Sequence, residues 1–349
     1  MAGNKRALES AELSSFCSQV ALILSAGLPL YDGMETLAET TKGSEYAELY
    51  ESASKAVTET GSLYQALQRD DRWPTYMVEM VGIGEQTGQL EKVMNGLSEY
   101  YAREDRIRSS IIGAVTYPLV LGVMLVLIIA IMLWKVLPVF QRVLNSMGAE
   151  LSSSGSALMR LGSTIGWVVL ALVAVMVLAV VIGAILLKTS AKDKVLAFVR
   201  RLFPPVRRLS MKLASSRVAS VLGMMLSSGF PTNEAFRLLP SVINDGEAAG
   251  KVRAIRKELD NGAAFADAIS HSKLFDGLHD RMIRMGVAAG REDQVMAKIA
   301  ELYEEQVEEG IARLVAIIEP TLIVLLAIVI GAVLLSVMLP MAGILTSML

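Results

Sequence analysis

The chain holds one cysteine, Cys17, and two histidines, His271 and His279, among 349 residues. One thiol cannot close an internal disulfide, which suits domains kept in a reducing compartment, and Cys17 reads as a small buried residue. Two histidines far in sequence from that thiol are weak material for a metal centre or a Cys/His nucleophile, and both read as ordinary helix or turn residues. Equally absent are a GxxxxGK[ST] phosphate loop, a Rossmann fingerprint, an HExxH pair and a nucleophile elbow. No residue is therefore assigned a catalytic, cofactor-binding or metal-ligating role, and the chain is not expected to be an enzyme.

Charge is missing in a second, more informative way. Residues 109–134 contain no Asp, Glu, Lys or Arg, nor do residues 161–187, and none follows Glu319. A hydrocarbon core about 30 Å thick needs roughly 20 helical residues, and all three stretches reach that length. They are read as transmembrane helices over 113–137, 163–187 and 317–339. The apolar run near the amino terminus is short and preceded by Glu9 and Glu12. A cleaved signal peptide is not expected there.

What is present is a duplication. Shifted by 202 residues, "SAGLPLYDGM" from Ser25 falls on "SSGFPTNEAF" from Ser227. In the same register Gly84 meets Gly286, Gly88 meets Gly290, Pro118 meets Pro320 and Pro138 meets Pro340. No gap is needed over more than 100 residues. Each copy is a polar region followed by an apolar span ending in Leu-Pro. The middle span has no counterpart, and topology supplies its purpose: it returns the second copy to the side of the first. Arg103, Arg106 and Arg108 precede the first span, and Lys188, Lys192, Lys194, Arg200, Arg201, Arg207 and Arg208 follow the second. The loop at 138–162 has only Arg142, Glu150 and Arg160. The positive-inside tendency puts both polar regions, 1–110 and 188–313, in the cytoplasm, and the 138–162 loop and 340–349 tail outside.

The polar regions read as all-helical. Leu13, Phe16, Val20, Ile23 and Leu24 recur at helical spacing; Gly27 can end that helix and Pro29 can open the next. The fold class is thus an all-α integral membrane protein with two duplicated cytoplasmic domains, each resembling a six-helix bundle, and three transmembrane helices. The last polar helix of each copy should run straight into its span. Pro118 and Pro320 lie inside those long helices and should bend them or open the hydrogen-bond ladder, either to suit packing or as a moving joint.

Residues 1–110 carry 17 acidic and 10 basic side chains, net −7; residues 188–315 carry 16 and 20, net +4. Nucleic-acid binding fits this poorly, and the basic cluster at 188–208 suits anionic lipid. The acidic run "ELYEEQVEEG" reads as a solvated helical face or a dock for a basic partner. Glu319, matching Tyr117, sits at the cytoplasmic mouth of the last span. It is read as interfacial capping or snorkelling, as a contact with a subunit or substrate, or as part of a proton path. In "VGIGEQTGQLEKV" the glycines permit a tight turn around Gly88, and Glu85 can cap amides, transmit force or bind a partner. Gly162 and Gly166 form a GxxxG that suits close helix packing, within a chain or between chains.

With these residues in place the whole chain resembles the inner-membrane platform proteins of type IV pilus assembly and type II secretion, the secretion system F family. "SAGLPLYDGMETLAE", "GEQTGQLEKV" and "TYP" carry the resemblance in copy one; "SSGFPTNEAF", "GVAAGREDQV" and "IEP" carry it in copy two. Copy two departs at Val287, where copy one has Glu85, and at Glu292, matching Leu90. The resemblance implies a non-enzymatic machine part of the bacterial inner membrane without a cofactor. It would contact a cytoplasmic hexameric assembly ATPase, pilin or pseudopilin subunits and other inner-membrane assembly proteins, and would self-associate. Candidate coupling residues are Gly84, Glu85, Gly88, Tyr117, Pro118, Gly286, Gly290, Glu319 and Pro320. The alternatives are a static scaffold anchoring the ATPase and part of an oligomeric transporter.

Overall fold

The computed structural model describes residues 8–146, 203–347 except 242 and 244, and 164–182 except 165, 176, 179 and 180. All regular structure among these residues is helical. In the first copy α1 (Ser10–Ser25), α2 (Leu30–Thr40), α3 (Ala47–Thr60), α4 (Leu63–Gln68) and α5 (Thr75–Thr87) precede the 42-residue α6 (Leu90–Ile131). A π turn (Met132–Val136) joins α6 to α7 (Leu137–Ser146), and α8 (Gly166–Val175) is a short apolar helix. The second copy comprises α9 (Pro204–Ser227), α10 (Thr232–Leu238), α11 (Gly246–Asp260), α12 (Phe265–Ser272), α13 (Gly277–Ala289) and the 56-residue α14 (Glu292–Ser347).

The same backbone punctuation is used twice. Gly27 and Gly229 adopt φ of 69° and 71°, and the next amides, Leu28 and Phe230, donate to the carbonyls of Ile23 and Met225. Gly88 and Gly290 do the same at φ of 68° and 65°, with Gln89 donating to Gly84 and Arg291 to Gly286. These are Schellman closures, which need the left-handed conformation that glycine alone takes without strain. Pro29 and Pro231 occupy the N-caps of α2 and α10. Side-chain contacts repeat as well. Ser14 donates to the Ser98 carbonyl at 2.9 Å, and Ser216, 202 residues on, donates to the Ala300 carbonyl at 3.0 Å.

Residues 1–109 and 205–308 form one compact unit, in which the polar regions of the two copies pack together. A single apolar cluster runs through both, from Phe16, Leu63 and Met94 to Leu222, Phe236 and Ile299. Cys17 is wholly buried in it, and burial pushes its thiol pKa far up. His279 is also buried, 2.7 Å from the Asp276 carboxylate that caps α13 and stacked on Tyr303; His271 is exposed beside Glu258. Charge also links the copies. Arg217 of α9 grips Glu104 of α6 with both ends of its guanidinium, Nε lying 2.6 Å from Oε1, and Arg106 donates to the buried Glu304 at 2.8 Å.

Residues 110–204 and 309–349 make the second unit. In it α6 and α14 are long and apolar enough to cross a membrane. Only 22% of the most apolar window of the first helical stretch and 12% of the second are buried, far from what a core helix of a soluble protein would show. The buried residues are narrow stripes: Leu125, Ile129, Leu133 and Leu137 pack with Val169 and Val173 of α8 and with Leu322, Val329 and Val333 of α14. Ten of the 25 residues of the middle span, 163–187, lie outside the described residues.

Both long helices continue past their internal prolines, α6 past Pro118 and α14 past Pro320, although neither proline can donate to the carbonyl four residues back, Ala114 or Ala316. Neighbouring threonines donate to their own helix, Thr116 to the Ile112 carbonyl at 2.8 Å and Thr321 to the Ile317 carbonyl at 2.7 Å. A wider turn falls at Met132–Val136, before Pro138, another residue with no amide proton to continue the ladder. Leu-Pro ends neither helix. α7 continues past Pro138 to Ser146, and α14 continues past Pro340 to Ser347.

Candidate functional site

The most unusual polar contact of the second unit joins the duplication to itself. The Tyr117 hydroxyl donates to Glu319 Oε1 at 3.0 Å across 202 residues, so the partners occupy matching positions of α6 and α14. Each is followed by its proline, Pro118 or Pro320. Tyr117 is exposed and Glu319 half-buried, with Ile317 and Val120 exposed nearby. A carboxylate at the edge of an apolar span is costly unless a donor satisfies it, and the phenol supplies that donor. The contact reading of Glu319 thus gains a partner within the chain, and the tyrosine that supplies it is itself exposed.

The other candidates have local, structural employment. A Cβ on Gly84 would meet the Leu90 Cα at 3.0 Å and Val93; one on Gly286 would meet Val295, the residue matching Val93, at 2.6 Å. These glycines let α5 and α13 close tightly on the helices that follow, and Gly88 and Gly290 make the turns. Glu85 caps α4: Oε1 accepts from the Leu63 amide at 2.5 Å and Oε2 from the Ser62 hydroxyl at 2.6 Å. The negative charge lies against the positive end of that helix. In copy two both members of the arrangement are gone, with Ala264 matching Ser62 and Val287 matching Glu85. Ala264 makes no side-chain cap, and Val287 packs on the core. Exchanging Ser62→Ala with Glu85→Val in copy one should cost about 1–2 kcal/mol of stability. This is measurable as a lowered unfolding midpoint in detergent, with assembly falling only as abundance falls. Lost assembly at an unchanged midpoint would instead make Glu85 a partner-binding residue.

Gly166 sits against span one, where a Cβ would lie 2.7 Å from Leu133 Cδ2, so it serves packing within one chain. Gly162 lies outside the described residues. The Arg217–Glu104 and Arg106–Glu304 pairs were not foreseen. For the first pair a signal exists: Ser15 and Gln306 stand at the positions matching Arg217 and Glu104, so these two charges occur in one copy only. Among the described residues no three His, Cys, Asp or Glu side chains gather as a metal site.

A profile of type II secretion system protein F matches residues 16–138 and again 218–340, two matches offset by the same 202 residues. The chain belongs to the type II secretion system F family. Among its relatives the type IV pilus assembly protein PilC of Myxococcus xanthus is 27% identical, over 95% of this chain and 80% of the relative. PilC of Thermus thermophilus is 25% identical, over 95% and 82%. Type II secretion system protein F of Aeromonas hydrophila is 23% identical, over 96% and 87%. The repeated unit of this secretion system F chain is therefore the family's own domain, present twice.

Proposed function

We propose that this chain is the inner-membrane platform of a pilus or secretion pseudopilus system. On this reading it couples a cytoplasmic assembly ATPase to the placement of pilin-like subunits. The observation that carries the reading is the Tyr117–Glu319 bond. It ties the two family domains together through their membrane helices, at the level where a membrane-inserted subunit would meet them. Residues 1–110 and 188–313 face the cytoplasm and receive the ATPase; spans at 113–137, 163–187 and 317–339 present the receiving surface. Nucleotide is hydrolysed in the partner, since this chain carries no phosphate-cradling sequence, and its own role is mechanical.

Topology is tested by accessibility labelling of single cysteines. Positions 40 and 250 should be protected in intact cells and position 150 labelled from outside. Labelling of position 250 from outside would overturn the three-span arrangement and with it the cytoplasmic docking of copy two.

A further inference from the structure

Because the two copies have matching surfaces, a face buried in one and bare in the other shows what covers it. Tyr76 and Ile83, one stripe of α5, are 4% and 8% exposed; the matching Leu278 and Met285 of α13 are 62% and 72% exposed. Tyr76 stacks on Tyr100 of α6, which lies by Arg217 of α9. On α9 itself Met224 is 8% exposed, whereas the matching Leu22 of α1 is 69% exposed. Ser220 and Val221 are buried, and their counterparts Ser18 and Gln19 are exposed. The covering contact is known in detail. A Cβ on Gly96 of α6 would meet Met224 at 2.6 Å, Lys92 Nζ donates to the Ser227 carbonyl, and Arg217 pairs with Glu104.

The contact between the copies is thus head to tail: the α5/α6 face of copy one sits on the α9 face of copy two. Its two unused halves, the α13/α14 face of copy two and the α1 face of copy one, are left bare in every chain. A heterologous contact of this kind continues from molecule to molecule. We propose that the α13/α14 face of one chain packs on the α1 face of a second copy of this chain, extending the internal contact between molecules. By register, residue 298 opposes residue 22, as Gly96 opposes Met224. Lys298 replaces the glycine, so this contact is wider, with the lysine stem lying along Leu22 and its ammonium at the rim. Leu278 and Met285 supply the apolar centre. The proposal specifies the self-association implied by the family resemblance and does not depend on how pilins are handled.

The test uses full-length chains carrying two different tags, co-expressed and oxidised in membranes. Leu22→Cys in one and Lys298→Cys in the other should give a disulfide-linked product carrying both tags. Two Leu22→Cys chains, or two Lys298→Cys chains, should give none. Cys17 is buried and its thiol held protonated, so chains without added cysteines provide a silent background. Absence of the mixed product with both variants at normal abundance, or a dominant Leu22–Leu22 product, would overturn the proposal. As a second measurement, Met285→Asp should lower the oligomer mass in detergent with helicity unchanged; an unchanged mass would count equally against it. Neither readout involves filaments or secretion, so failure here is distinct from failure of the platform reading.

Discussion

Replacing Glu319 with alanine is expected to leave the chain in the membrane and to reduce filament or secretion output roughly tenfold or more. A hydrogen bond to a charged group is worth about 1.5–3 kcal/mol, and each 1.4 kcal/mol is about a factor of ten in an equilibrium. The alanine variant removes both the charge and the acceptor that Tyr117 uses. Glutamine keeps the shape and an acceptor oxygen, so E319Q should be intermediate. Tyr117→Phe removes only the donor and leaves the carboxylate unsatisfied at the membrane edge, so it should fall on the defective side of E319Q. The readout is surface filament yield or secreted product, measured beside platform abundance. Normal output in E319A would remove the pair from any coupling role. A yield that falls only in step with abundance would assign the pair to membrane packing alone.

The second large effect is on stability. Arg217 and Glu104 are about four-fifths buried, their side chains 17% and 18% exposed, and they face each other from different copies. Burial works against the Arg217 charge, but the bond to Glu104 and its negative charge outweigh it and hold the guanidinium pKa above its usual value. Glu104→Ala would strand that cation between the copies, at a cost of about 3–5 kcal/mol. Glu104→Leu together with Arg217→Met should cost much less, because neither charge then remains to be desolvated. Unfolding midpoints of the detergent-solubilised chain, taken as a double-mutant cycle, separate the two cases. A double-variant loss equal to the sum of the two single-variant losses would show that the two side chains are not coupled.

The parts of this molecule that were legible in the sequence are those governed by the backbone. Glycine at a left-handed position and proline at a helix start are demanded locally, so Gly27, Gly88 and Pro29 recur at Gly229, Gly290 and Pro231 and disclose the duplication. The apolar spans were equally plain, since their length is set by the bilayer. Partner choice was not legible. Tyr117 and Glu319 were recognisable as matched positions, yet nothing in helical periodicity says that matched positions touch. Capping was one reading of Glu85, but the helix it caps begins 22 residues earlier, at Leu63. Each copy read as a domain by itself because each has its own apolar stripes. The ion pairs that merge them into one unit join residues 113 and 198 positions apart. Nor does local propensity, which puts proline at a helix end, show that α6 and α14 continue past Pro118 and Pro320.

The platform reading is tested most directly by photocrosslinking from position 117 in living cells, with the cytoplasmic ATPase either active or carrying a disabled phosphate loop. A photoreactive residue at 117 should capture a pilin-like subunit through its membrane segment, and the adduct should change in amount when the ATPase is disabled while platform abundance stays constant. An adduct equally abundant with active and disabled ATPase would indicate a static scaffold. No pilin-like adduct at all, with filaments still forming, would contradict the assignment of this pair as the receiving surface.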